Sequence, residues 1–136
     1  MKNTIEDIQI IDIPKIEDLR GNISVIEKNL LTFKFKRVYY LYDIPSNAKR
    51  GGHAHIEQLI FLIAISGSFD VVLDDGVNKK AIITLNKPNK GLLIPTGIWR
   101  ELDNFSSGAV CLALASGEFD ESEYIRDYSY FKSLKN

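Results

Sequence analysis

The chain has little of several residues that usually decide a function. One cysteine, one tryptophan and two histidines serve 136 residues. A lone cysteine excludes any disulfide within the chain. Set between apolar neighbours in Ala109-Val110-Cys111-Leu112-Ala113, Cys111 reads as a buried structural thiol of a protein kept in a reducing compartment. There is no basic block. A formal net charge of -1 with 26% charged residues does not provide the concentrated positive footprint of non-specific nucleic-acid binding. Long apolar runs are missing too. The longest, Leu59 to Ile65, is about a third of a membrane span, and Met1 to Asp7 lacks the apolar core of a signal peptide. The expectation is a cytoplasmic protein with no membrane or nucleic-acid partner. With no linker, repeat or low-complexity stretch, residues 1–136 read as a single domain, long enough to bury roughly two thirds of its unfolded surface.

What is present is a succession of short strands. Ile8 to Ile13 ends at Pro14, and Asp18-Leu19-Arg20-Gly21-Asn22 turns into Ile23-Ser24-Val25-Ile26. From Thr32 the pattern Thr-Phe-Lys-Phe-Lys alternates and continues through Arg37 to Tyr42. The histidine segment follows, then Leu59 to Ile65, apolar at every position and so buried on both faces as a strand. One of those faces fills the interior, and the other requires a second sheet or a partner subunit. Phe69 to Leu73 meets the hairpin signal Asp74-Asp75-Gly76, with a return strand from Ala81 to Leu85. Leu92 to Ile94, Ile98 to Leu102 and Ala109 to Ala115 complete the series. About nine or ten strands at spacings of roughly 8 to 12 residues, with no βαβ unit, predict an all-β sandwich or barrel. In the tail, Asp120 and Glu123 resemble a capping box, and Tyr124, Tyr128 and Phe131 share a helical face, which predicts a short C-terminal helix.

The stretch Arg50-Gly51-Gly52-His53-Ala54-His55 holds both histidines, two residues apart. On a strand that spacing turns both imidazoles to one face. Such a pair can move protons near neutral pH, and arginines beside it would bind an anion and depress the histidine pKa values. The alternative is a pair of hydrogen-bonded barrel residues with no chemistry. Alternation also separates the tyrosines, placing Tyr40 and Tyr42 on one face and Tyr39 on the other.

Gly52-His53-Ala54-His55, Gly67, Pro95-Thr96-Gly97-Ile98-Trp99-Arg100 and Asn104 together resemble the two motifs of the cupin superfamily. The resemblance implies a jelly-roll barrel, also called a double-stranded β-helix. Metal-binding cupins carry a third histidine where this chain has Arg100, and a glutamate three or four residues beyond the second histidine. Those two positions are Gln58 and Leu59 here, with Glu57 one residue too early. A guanidinium is a permanent cation and cannot ligate a metal, so neither metal nor other cofactor is expected.

A longer likeness covers most of the chain. Asp18-Leu19-Arg20-Gly21, Lys36-Arg37-Val38-Tyr39-Tyr40, the histidine segment, Leu73-Asp74-Asp75-Gly76 and Phe119-Asp120-Glu121-Ser122-Glu123-Tyr124-Ile125-Arg126 occur in the order seen in dTDP-sugar 3,4-ketoisomerases. The resemblance implies a metal-free homodimer that converts dTDP-4-keto-6-deoxyglucose to its 3-keto isomer. It also implies a place in making 3-amino-3,6-dideoxy sugars for bacterial surface glycans such as lipopolysaccharide O-antigen. The chemistry suits the residues, because the proton on C3 of a 4-keto sugar is acidified and proton shuttles alone can move the carbonyl. His53, His55 and Tyr40 are then the catalytic candidates, and Arg20, Arg50, Arg100, Tyr42 and Trp99 the substrate-binding ones, with Trp99 serving either as core or as a stacking surface. Having both Arg20 and Arg100 leaves the product's gluco or galacto configuration at C4 open. A dTDP-4-keto-6-deoxyglucose 3,5-epimerase, a non-catalytic sugar-nucleotide-binding cupin and a metal-dependent oxygenase are the competing readings.

Overall fold

The computed structural model describes residues 1–135. Two five-stranded antiparallel sheets face each other, as in a jelly roll. The first holds β1 (Gln9–Asp12), β4 (Arg37–Leu41), β6 (Ile60–Ser66), β9 (Lys90–Ile94) and β11 (Val110–Ala115), in the order β1-β9-β6-β11-β4. The second holds β5 (Arg50–His55), β7 (Phe69–Asp74), β8 (Lys80–Leu85), β10 (Trp99–Asp103) and β12 (Tyr124–Ile125), in the order β12-β5-β10-β7-β8. A separate hairpin, β2 (Lys15–Asp18) with β3 (Gly21–Ser24), is exposed at every position.

Period-two alternation builds the core between the sheets. Ile60, Leu62 and Ala64 of β6 meet Phe69, Val71 and Leu73 of β7, with Leu92, Ile94, Cys111 and Ala113 beside them. Cys111 is therefore the buried thiol expected, and burial pushes its pKa up to about 12, which keeps it protonated and unreactive. Phe61 and Ile63, on the opposite face of β6, pack with Leu93 and Leu114. They are covered by the chain's own segment bearing Ile26, Leu30, Leu31 and Phe33 and not by a second sheet, while Ile65 at the end of the same face stays exposed. That segment also corrects the predicted strand from Thr32, because residues 32–36 fold over the sheet and only Arg37 to Leu41 join a ladder.

The β7–β8 hairpin is fastened by Asp75. Burial alone would raise its carboxyl pKa, but N–H bonds from Val77, Lys79, Ile5 and Asn78 outweigh burial and hold it below the usual range. The tail departs from expectation in one respect. Asp120 does cap a turn, accepting from Ser122 N, but Glu123 accepts from the Glu57 and Gln58 amides instead of completing a capping box. The chain therefore makes a single 3-10 turn, adds β12 to the edge of β5, and starts its helix α1 (Tyr128–Ser133) only after Asp127, whose carboxylate accepts from Tyr130 N. Phe131 and Tyr128 then pack on Trp99 on the outer face of the second sheet. No helix among the described residues is long and apolar enough to cross a membrane.

Candidate active site

The two glycines before the histidines set the geometry of β5. Gly51 and Gly52 take φ values of +93° and +68°, which side chains rarely adopt, and the β5–β10 ladder shifts register beside them. After the shift, Arg100 of β10 lies directly opposite His53 of β5. The two imidazoles share a face as the spacing required, with ring centroids 5.0 Å apart.

Between the sheets a cavity of about 400 Å³ is lined by residues from β4, β5, β6, β10, β11 and the tail. His53, Arg100, Tyr39 and Tyr124 supply its polar groups, and Lys49, Arg50 and Arg126 add three more cations. His55 lies behind this lining, fully buried, with the Tyr124 ring 4.6 Å from its own and 4.8 Å from that of His53. Among the described residues, no group is within hydrogen-bonding geometry of either nitrogen of either histidine.

The electrostatics favour neutral imidazoles. Burial, then the Arg100 charge, lowers His53 to about 3. Burial, Arg100, His53, Arg37 and Arg126, in that order, lower His55 to about 2. Arg100 is itself only 3% exposed, and burial brings it down to about 10, so it remains a cation at neutral pH. Its Nε and Nη2 donate to the Ile98 carbonyl, and among the described residues no carboxylate lies within ion-pair distance of it. Burial likewise raises the Tyr39 phenol, against the opposing pull of Arg100.

Four candidates from the sequence lie outside this cavity. Tyr40 and Tyr42 are exposed on the outer side of β4 and the residues after it, so the tyrosine facing inward is Tyr39, beside Leu41. The apolar Leu41 shares the parity of Tyr39 and was the available signal for the inward face. Trp99 points the other way from Arg100, its neighbour in β10, and is core beneath α1. Arg20 sits on the exposed hairpin, its side chain 90% exposed and paired with Asp18. His53, Arg50 and Arg100 are at the cavity, and His55 is directly behind it. Tyr124 and Arg126 were missed because the tail was read as helix, whereas β12 carries Tyr124 to a place opposite His55.

The residues do not fit a metal. Among the described residues no three His, Cys, Asp or Glu side chains converge. Gln58, where metal-binding cupins hold a glutamate, uses its oxygen to accept from Arg37 Nη2 at 3.1 Å and its nitrogen to donate to the Glu118 carbonyl. Arg37 also donates to the Tyr124 hydroxyl at 3.2 Å and lies over the Tyr39 ring, so it braces two cavity residues.

A jelly roll with a paired-histidine strand opposite an arginine, beside a cavity lined by four cationic side chains, is a cupin-type fold. Comparisons with known proteins narrow the class. Residues 6–136 match the family described as FdtA: WxcM-like, C-terminal, and the chain belongs to that family. It is an isomerase of the 3,4-ketoisomerase type. Over 125 residues it is 42% identical to the TDP-4-oxo-6-deoxy-alpha-D-glucose-3,4-oxoisomerase of Aneurinibacillus thermoaerophilus, covering 91% of this chain and 89% of that protein. The crystal structure of a 3,4-ketoisomerase from Helicobacter canadensis is 42% identical and superposes with a TM-score of 0.91 over 95% of this chain and 97% of that one. The sugar 3,4-ketoisomerase QdtA of Thermoanaerobacterium thermosaccharolyticum, solved with TDP, is 34% identical, with a TM-score of 0.94 over 97% and 96% of the two chains. A mutant of QdtA is solved with TDP-4-keto-6-deoxyglucose. The epimerase and non-catalytic readings are not favoured by these matches.

Proposed function

We propose that this chain converts dTDP-4-keto-6-deoxy-D-glucose to a dTDP-3-keto-6-deoxyhexose by proton transfer through an enediol, without metal or other cofactor. The observation that carries the reading is a buried Arg100, with no carboxylate within ion-pair distance among the described residues, facing His53 directly across the β10–β5 ladder. Neutral His53 takes the proton from C3, and the electron pair forms the C3–C4 double bond as O4 becomes an enolate oxygen. A fixed guanidinium in a desolvated cavity stabilises that developing charge far better than water does. Tyr39 takes the relay role first given to Tyr40, passing a proton to O4 while O3 gives one up. The electron pair then collapses to a C3 carbonyl, and C4 receives the proton held by the histidine pair. Atoms and charge balance with no oxidant.

Lys49, Arg50 and Arg126 are the cations for the diphosphate, since guanidinium forks match phosphate oxygens. In this reading the enzyme is a cytoplasmic homodimer, acting before the aminotransfer that makes dTDP-3-amino-3,6-dideoxyhexoses for surface glycans. Surfaces for a second copy are present: β4 is the free edge of its sheet with Val38 and Tyr40 exposed, and Ile16, Leu19 and Ile23 are exposed on the hairpin.

Proton NMR of the protein incubated with dTDP-4-keto-6-deoxyglucose in D₂O tests the reaction. The expected result is a 3-keto product that is lost in His53→Asn. Hydrogen carried from C3 to C4 marks direct return by the histidine pair, and deuterium at C4 marks exchange with solvent first. A parallel run in H₂O gives the C4 proton's coupling, which reports gluco or galacto configuration. Bound nucleotide with unchanged sugar would sink the proposal.

A further inference from the structure

His55 is a fully buried imidazole with no hydrogen-bond partner on either nitrogen among the described residues, under the charges of Arg100, Arg37 and Arg126. Burying two unmet polar atoms is costly, so a group that could meet one of them carries weight. The nearest acidic group is Glu123, whose Oε1 stands 3.8 Å from His55 Nδ1. A shift of about 1 Å would bring the pair to hydrogen-bond distance.

Glu123 is held at that place from two directions. Its backbone carbonyl accepts from Ile56 N at 3.2 Å, just before Tyr124 pairs with His55 in the β12–β5 ladder. Its Oε1 accepts from the Glu57 amide and, at 2.7 Å, from the Gln58 amide. The side chain is only 11% exposed, so the carboxylate keeps most of its field for its neighbours.

We infer that Glu123 is the positioning residue of His55: its Oε1 accepts from Nδ1–H, which fixes the ring tautomer and leaves Nε2 bare to take on the proton that His53 draws from C3. This deepens the proposed reaction and rests on it for its kinetic consequence. A carboxylate behind a catalytic imidazole orients the ring and stabilises the imidazolium formed when it takes a proton.

The test uses the whole protein with ¹⁵N-labelled histidine and the substitution Glu123→Gln, whose amide oxygen can still accept from the Glu57 and Gln58 amides but carries no charge. The unmutated protein should show a neutral His55 with its proton on Nδ1. The variant should move the His55 nitrogen signals and lose about 10- to 100-fold in kcat, with KM changed less than about twofold. A purely structural role at the 56–58 turn predicts that neither signals nor kcat move, and that outcome overturns the inference. So does an Nε2-protonated His55 in the unmutated protein, a measurement that needs no substrate and stands even if Glu123→Gln fails to fold. Absence of turnover by the unmutated protein would instead reject the ketoisomerase reading, with the tautomer still deciding the role of Glu123.

Discussion

Arg100 stands directly across the β10–β5 ladder from His53, at the point where that ladder changes register. The pairing puts a desolvated cation against an imidazole whose pKa that charge helps to depress. Replacing Arg100 with leucine removes the repulsion but leaves the burial, which is the larger cause of the depression. The His53 pKa should therefore rise from about 3 without returning to its ordinary value near 6.5, as a proton NMR titration of the imidazole would record. Turnover should fall by about 10²- to 10³-fold, the usual cost of losing one charge-stabilising group. Unchanged kcat in the leucine variant would remove Arg100 from the mechanism.

The depressed histidines also predict how stability follows pH. Both are lowered in the folded state, His53 to about 3 and His55 to about 2, against an ordinary value of 6.5. Well above pH 6.5 they are neutral whether folded or unfolded and contribute no slope. As pH falls below 6.5, the unfolded chain takes up protons that the folded one refuses, so stability is lost until the folded pKa values are reached. Each histidine contributes at most about 1.4 kcal/mol per pH unit. Urea midpoints should therefore drop between pH 6.5 and 5, a window above the ordinary carboxylate range, and His53→Gln/His55→Gln should flatten that limb. An equal slope in both proteins would contradict the burial of the pair.

Tyrosine parity gives a third outcome. Tyr39 faces the cavity beside Arg37, whereas Tyr40 lies on the exposed side of β4. Tyr39→Phe should lower kcat by about 10²-fold, the scale of a lost proton-transfer group, and Tyr40→Phe should leave single-subunit chemistry within about twofold. The reverse ordering, read from initial rates on dTDP-4-keto-6-deoxyglucose, would return the relay role to the outer face.

Much of this molecule was legible in its sequence, and the failures share a cause. The all-β class, the β7–β8 hairpin and the both-face burial of β6 follow from local patterns in Asp74-Asp75-Gly76 and Leu59 to Ile65. The histidine pair and Arg100 were legible because a two-residue spacing and a fixed motif carry their geometry. Face choice was harder to read, since alternation separates Tyr39 from Tyr40 and only the shared parity of Leu41 with Tyr39 marks the inner side. Trp99 had two readings, core or stacking surface, and the arrival of α1 on its side of β10 makes it core. The short C-terminal helix was legible, but its start was misplaced because Glu123 serves the Glu57 and Gln58 amides, distant in sequence, and a local capping pattern cannot show that competition.

The last prediction concerns the glycines that create the register shift. Gly51 holds φ near +93°, and a Cβ built there would lie 3.1 Å from the Arg100 carbonyl and 3.3 Å from Glu101 Cα. Backbone cannot swing aside as a side-chain end can, so Gly51→Ala must strain its own φ or push β10 away. Gly52, at φ +68°, meets only the far end of Glu101 at 3.9 Å, so Gly52→Ala carries the φ cost alone. Each substitution should destabilise by about 1–2 kcal/mol from backbone conformation. Gly51→Ala should in addition depress kcat, because the displaced segment carries Arg100 relative to His53 and small misplacements of reacting groups cost up to about 10²-fold. Chemical denaturation and steady-state rates on the two variants separate the effects. Equal kcat in both would mean that the register of β10 against β5 does not set the catalytic geometry.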